Sequence, residues 1–232
     1  MNRFLKIDFH CHTEYSKDSL DSLDSVLAEA RRKQIDRLVI TDHNTIRGAQ
    51  KANRIDPELV IVGEEIGTLK GELLAVFIKE EVPKNLLPLE AIRRLRDQDA
   101  FISVSHPFDL RRRGWQLSDL IEIAPLIDAV EIFNSRCINM QINDQAKYFA
   151  LEHQLGGTAG SDAHTLYEIG RATLLLPFFD NSGELRDVIK QGKVDGRLTT
   201  GPLLMATLFN QIIKKIRASN QNKKGGYDRT TN

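Results

Sequence analysis

Cysteine is nearly absent: Cys11 and Cys137 are the only two among 232 residues. They form no paired-cysteine motif, which excludes a disulfide framework and fits a reducing compartment. Long apolar runs are missing too. Nothing approaches the roughly 18 consecutive apolar residues that a membrane span needs. The opening Met-Asn-Arg-Phe-Leu-Lys-Ile-Asp passes into a charged strand instead of a signal-peptide apolar segment. A cytoplasmic protein with no membrane partner is therefore expected. Neither sign of charge prevails, with 32 Lys plus Arg against 32 Asp plus Glu. The bulk positive field of a general nucleic-acid or membrane binder is absent, and any anion site must be local. There is also no internal repeat and no low-complexity domain.

What is present is enough apolar content, 41%, to bury one sizeable core. Short runs rich in Ile, Val, Leu and Phe alternate with stretches of helical period, the pattern of parallel strands joined by crossover helices. Strands are expected near 4–10, 37–42, 58–66, 72–78, 100–105, 128–133 and 157–161, with a further one over 171–179. The clearest helix covers 23–34, capped by Asp21 or Ser22, with Leu23, Val26, Leu27 and Ala30 on one face. Others are expected over 45–55, after Pro88, over 139–154 and over 183–192. Seven strands in this alternation suit a closed or nearly closed barrel better than an open sheet. A single domain over 1–218 is expected, with a helical extension over 180–218. In its last helix, 203–218, Ile212, Ile213 and Ile216 would dock on the body. The stretch 219–232 has too little apolar content to pack and reads as disordered.

Five of the six histidines, His10, His12, His43, His106 and His164, fall at or just past the C-terminal end of an expected strand. His153 alone lies mid-helix. Strand C-termini of a parallel barrel open on one face, so these imidazoles converge in space although scattered in sequence. Carboxylates follow the same rule: Asp8 and Asp18 flank the first pair, Asp42 precedes His43, Glu64 and Glu65 end the third strand, and Asp162 precedes His164. His10 and His12, two apart in a strand, project to the same face and can bind one ion together. Imidazole with carboxylate suits Zn²⁺, Mn²⁺ or Fe²⁺, and a carboxylate shared between ions is the usual plan of a two-metal hydrolase.

These residues carry a family resemblance. Asp8-Phe9-His10-Cys11-His12, continuing to Asp18, Ile40-Thr41-Asp42-His43-Asn44, Gly63-Glu64-Glu65-Ile66, Ser105-His106-Pro107 and Gly160-Ser161-Asp162-Ala163-His164 resemble, in order, the successive motifs of the polymerase-and-histidinol-phosphatase (PHP) family. The similarity spans residues 5–175. It implies a distorted seven-stranded β/α TIM-like barrel with a cluster of two or three divalent ions, Zn, Mn or Fe, at the C-terminal mouth of the strands, cleaving phosphate esters through activated water. The implied metal ligands are His10, His12, Asp18, His43, Glu65, His106, Asp162 and His164, with Glu65 as the bridging group. Glu65, His43 and Asp42 are the implied catalytic groups, Asp42 as a residue that orients His43 or handles a proton. Two departures stand out. Glu72 occupies a place where the family often has a histidine, and the first motif is one residue longer than the common form.

Phosphate also needs cationic partners. Arg111, Arg112 and Arg113, in the loop after the fifth strand, are candidate clamps beside Trp115, a candidate stacking surface; Arg136 and Arg171 are further candidates. Glu131 would orient a neighbouring ligand or pair with Arg136. The expected substrate is a small phosphorylated metabolite, a nucleotide or the end of a short nucleic acid. Two alternatives are an amidohydrolase-like hydrolase of C–N bonds, disfavoured because no lysine ends a middle strand, and a metal-binding module acting without catalysis in a larger assembly. Oligomeric state has no sequence signal.

Overall fold

The structure, a computed structural model, describes residues 4–227, with side chains through residue 216 apart from Leu208. Nine strands form one sheet: β1 (Phe4–Cys11), β2 (Arg37–Ile40), β3 (Val60–Gly67), β4 (Glu72–Val76), β5 (Phe101–Val104), β6 (Ala129–Asn134), β7 (Gly156–Gly160), β8 (Ala172–Pro177) and β9 (Lys193–Gly196). Seven helices accompany them: α1 (Leu23–Arg32), α2 (Arg47–Ile55), α3 (Pro88–Asp97), α4 (Leu117–Ile123), α5 (Met140–Glu152), α6 (Ser182–Val188) and α7 (Gly201–Tyr227). Local chemistry places several boundaries. Ser22 caps α1 by accepting from the Ser25 N–H, and Leu23, Val26, Leu27 and Ala30 form its buried face. Pro88, which has no N–H to leave unpaired, opens α3.

The strand order is β7-β6-β5-β4-β3-β2-β1-β8-β9. The sheet curls until its β7 end returns to β1, making a nearly closed barrel. There Cys11 bridges to Ala163, the Asp162 N–H donates to His10 O at 2.7 Å, and the His12 N–H donates to Ala163 O at 2.9 Å. Gly160 makes this closure sterically feasible. A Cβ on it would lie 2.3 Å from the Cβ of His10 and 2.9 Å from its backbone nitrogen.

Several expectations are corrected. The sheet has nine strands where seven barrel strands and one further strand were expected, because Lys193–Gly196 pairs antiparallel with β8, which itself pairs antiparallel with β1. β9 is exposed and carries no apolar run to announce it. The short helix α4 also lacked a signal. The barrel is not all parallel: β4 runs antiparallel to β3 and β5. Residues 68–71 between β3 and β4 are a tight turn closed by the Thr68 N–H on Gly71 O, too short for the crossover a parallel pair requires. The start of β4, Glu72, therefore sits at the same mouth as the ends of β1, β2 and β3.

The last helix is also turned over. Ile212, Ile213 and Ile216, expected against the body, are 53%, 38% and 55% exposed. α7 faces the barrel instead with polar groups that find carbonyls and a guanidinium there. α7 runs on to Tyr227, into the stretch 219–232. The remainder of that stretch, 228–232, lies outside the described residues. Among the described residues no helix is long and apolar enough to cross a membrane.

Candidate metal centre

The mouth of the barrel gathers five imidazoles and four carboxylates. Three overlapping groups, His10 with His12 and Asp162, His12 with His43 and His164, and His43 with Glu65 and Glu72, have ligand atoms within 4.8 Å of one another. Asp18 joins them: its carboxylate oxygens lie 3.4 Å from His43 Nε2 and 3.4 Å from His164 Nε2. His106 Nε2 lies 3.3 Å from Glu65 Oε1 and 3.6 Å from Glu72 Oε2. All eight residues implied as ligands thus meet at one mouth, and Glu72 is a ninth. Asp162 adopts a left-handed backbone, φ +53°, which turns its carboxylate inward beside His10 and His12.

Hydrogen bonds behind the imidazoles set which nitrogen faces the mouth. His10 Nδ1 lies 2.9 Å from Glu131 Oε1, an acceptor, so it carries the proton. Ser16 Oγ donates its one proton to Asp42 Oδ1 at 2.8 Å and receives the His43 N–H at 3.0 Å. His12 Nδ1, 3.0 Å from the same oxygen, must therefore be a donor. Both Nε2 atoms are left with lone pairs pointing forward, 3.0 Å apart. Glu65 Oε2 stands 3.4 and 3.3 Å from them and Asp162 Oδ1 3.7 and 3.4 Å.

Four electron-pair donors aimed at one point call for a cation. Glu65 Oε2 and Asp18 Oδ1, both buried, make no aligned hydrogen bond, although imidazole nitrogens lie within 3.4 Å of each. The donor set fits divalent ions that accept both imidazole and carboxylate.

Without a metal the carboxylates draw a proton to this point instead: against its burial, the charges of Asp162, Glu65 and Glu131 raise His10 well above its ordinary range, and a bound cation would take that proton's place. Burial, with the charges of His164 and His43, pulls the His12 imidazole down to about 3. For Glu65, burial raises the pKa but the charges of His10 and His43 outweigh it, holding the carboxyl well below its ordinary range. Asp162 is held low against its burial by His10 and Arg112. Glu72 is raised, first by burial and then by the charge of Glu65 beside it.

The remaining site candidates are placed as follows. Asp42 is fully buried behind the mouth and accepts from the Thr13 N–H, the Thr13 hydroxyl and the Ser16 hydroxyl. It braces the loop that carries the first motif. Arg112 donates to Asp162 Oδ2, to Asn134 Oδ1 and to Asp109 Oδ2. Arg111 pairs with Asp109 at the rim, and Arg113 donates to Thr68 O at 3.3 Å; all three line the cleft. Arg171 does not line it and donates instead to Leu198 O. Trp115 is 2% exposed, packed in the core with its indole N–H on Glu72 O, and offers no stacking surface. Glu131 orients His10 and receives the His106 N–H, while Arg136 pairs with Glu168 instead.

Sequence reasoning missed Glu168, Asp109 and Asn134. Each serves the site through contacts distant in sequence or within its own loop, and no motif spacing marks them. Leu204, Thr207 and Gln211 of α7 were missed too, because they line the cleft only once the helix is turned over. The cleft holds about 410 Å³.

A family model described as PHP domain matches residues 8–87, and one described as PHP-associated matches residues 141–194. An uncharacterized protein of Methanocaldococcus jannaschii is 37% identical over 172 residues, covering 72% of this chain and 69% of that protein. Among solved structures, a two-domain protein of Bacteroides vulgatus, described as containing a predicted PHP-like metal-dependent phosphoesterase, superposes with a TM-score of 0.70 at 18% identity over 90% of this chain and 70% of that one. Endonuclease Q of Pyrococcus furiosus, described as lesion-specific, superposes with a TM-score of 0.61 at 18% identity over 83% of this chain and 58% of that one. An endonuclease Q complex with a 27-mer duplex bearing an abasic lesion at the active site gives 0.62 at 19% identity, over 82% and 57%. At these identities the structures speak for the fold, and the sequence match speaks for descent: the chain belongs to the PHP family.

Proposed function

We propose that the chain is a metal-dependent phosphoesterase that hydrolyses a small phosphorylated metabolite, a nucleotide or the end of a short nucleic acid. The observation that carries this reading is the convergence of the His10 and His12 Nε2 lone pairs with Glu65 and Asp162 on one point, beside a second cluster of Asp18, His43 and His164. Glu65 stands between the two and can serve both. Divalent ions held there would supply a water that ionises near neutral pH and would polarise the phosphoryl oxygens.

The protein's own groups do the rest. Glu131 and Ser16 fix the tautomers of His10 and His12 so that their lone pairs face forward. Arg112 balances the charge of Asp162. Arg111, Arg113 and Lys17 line the cleft with positive charge suited to phosphate. No lysine ends any of the strands β2 to β7, which supports phosphoester over C–N hydrolysis.

The test supplies metal-free protein with Mn²⁺, Zn²⁺ or Fe²⁺ and measures turnover of p-nitrophenyl phosphate, its bis-ester, mononucleotides, histidinol phosphate and short oligonucleotides. Metal-dependent turnover lost in His12→Ala is the expected result, with Arg113→Ala raising KM for phosphorylated substrates. Stoichiometric metal binding without turnover of any substrate would overturn the reading in favour of a non-catalytic module.

A further inference from the structure

A helix that docks on a protein body normally lays its apolar stripe down. α7 does the reverse. Met205, Phe209, Ile212 and Ile216 face solvent, while Thr207, Asn210, Gln211 and Lys214, spaced three and four apart, form one stripe over the metal mouth. Leu204, Thr207 and Gln211 supply a wall of the cleft.

Three polar tethers hold that stripe in place, and each ends on a segment that carries the site. Arg136 Nη2 donates to Thr207 Oγ1 at 2.6 Å, and its Nη1 is anchored on Glu168, which also receives the His164 N–H. Asn210 Nδ2 donates to His164 O at 3.3 Å. Lys214 Nζ donates to Glu14 O at 2.5 Å and to Ser16 O, in the loop between His12 and Asp18. Hydrogen bonds of this kind exchange with water at modest net gain, and the outward apolar face adds no burial on the body. The helix is therefore a roof fastened by a few polar contacts.

The room beneath it, about 410 Å³, is within the range of small-ligand sites. A polynucleotide strand crossing the mouth would have to run through the path of α7. We propose that α7 is a size filter: tethered over the mouth, it admits a phosphomonoester or a chain terminus to the metal centre and keeps out the interior of a polymer. This rests on the phosphoesterase reading for what is hydrolysed, but its test reads binding.

The experiment measures binding of thymidine 5′-monophosphate and of a circular single-stranded DNA, which has no ends, to the metal-loaded full chain and to the full-chain variant Asn210→Ala with Lys214→Ala. The intact chain should bind the mononucleotide at least tenfold more tightly than it binds circle per site. The variant should lose most of that preference through a gain of tenfold or more for the circle, with faster amide exchange confined to α7. An intact chain that takes the circle as readily as the mononucleotide would overturn the proposal, as would an unchanged preference in the variant. Absence of turnover with every metal would instead count against the phosphoesterase reading and leave this result standing.

Discussion

Glu131 illustrates how much of the centre is decided behind the ligands. Its Oε1 takes the His10 Nδ1 proton, and its Oε2 receives the His106 N–H and the Asn134 side-chain amide. One buried carboxylate thus fixes a tautomer and two loops. Glu131→Gln keeps the shape but can present an N–H to His10, which competes for the ring orientation. Metal affinity should fall by roughly 10- to 100-fold, read by competition with a chromophoric chelator, while the far-ultraviolet circular dichroism stays unchanged. An affinity equal to that of the parent would remove Glu131 from its orienting role. The residues implied as ligands were legible in the sequence because all but Asp18, in the loop after β1, lie near or just past a strand end, and each falls within a motif. Glu131 was only half legible: its strand position was visible, but its partner depended on which way Arg136 turned. The three arginines show the opposite limit. Their charge suggested a clamp, yet Arg112 is spent on Asp162, Asn134 and Asp109, a distribution no spacing rule reveals.

At the scale of elements, β3 puts adjacent acids to opposite uses. Glu65 faces the mouth, while Glu64, on the other side of the strand, is buried and accepts from the Val82 N–H at 3.1 Å. Burial, opposed by that hydrogen bond and reinforced by the charge of Glu81, pushes Glu64 up to about 8. In the unfolded chain a glutamate titrates near its ordinary value of about 4.3. The folded state therefore holds a proton that the unfolded state releases. The resulting stability is fully present below the unfolded pKa, declines as pH rises, and is gone once pH passes the folded value. Glu64→Gln imitates the protonated form, so its Tm should match the parent near pH 4 and exceed it increasingly towards pH 9. A Tm difference that does not grow with pH would show that Glu64 is not buried as a neutral acid. Strand β4 shows why element order is easier to read than element direction. Its apolar run was plain, but its reversal hangs on a four-residue turn, and only the reversal brings Glu72 to the centre. Helix α7 was misread for a related reason: amphipathic periodicity finds two faces, and chemistry on the body decides which is down.

For the whole molecule, closure is the decisive event. The residues implied as ligands come from strands as far apart along the sheet as β1 and β7, and β7 reaches β1 only because Gly160 lets the chain pass His10 at contact distance. Gly160→Ala would push a Cβ to within 2.3 Å of the Cβ of His10, a contact that rigid strands can relieve only by separating. The cost should be on the order of 1–3 kcal/mol, seen as a lower denaturation midpoint. Loss of tight metal binding should accompany it, since His10 and Asp162 part together. Wild-type metal affinity in a stable Gly160→Ala protein would disprove the link between closure and the centre.

The placement of α7 after β9 has a consequence for synthesis. Chains emerge from the ribosome N-terminus first, at about 5–20 residues per second. His10, the earliest ligand, is made long before Asp162 and His164, and the helix over the mouth comes later still. A barrel that folds as it is made would present the residues implied as ligands for some seconds with no roof above them. During that interval metal ions have open access from solvent, so loading can precede the event that narrows the entrance.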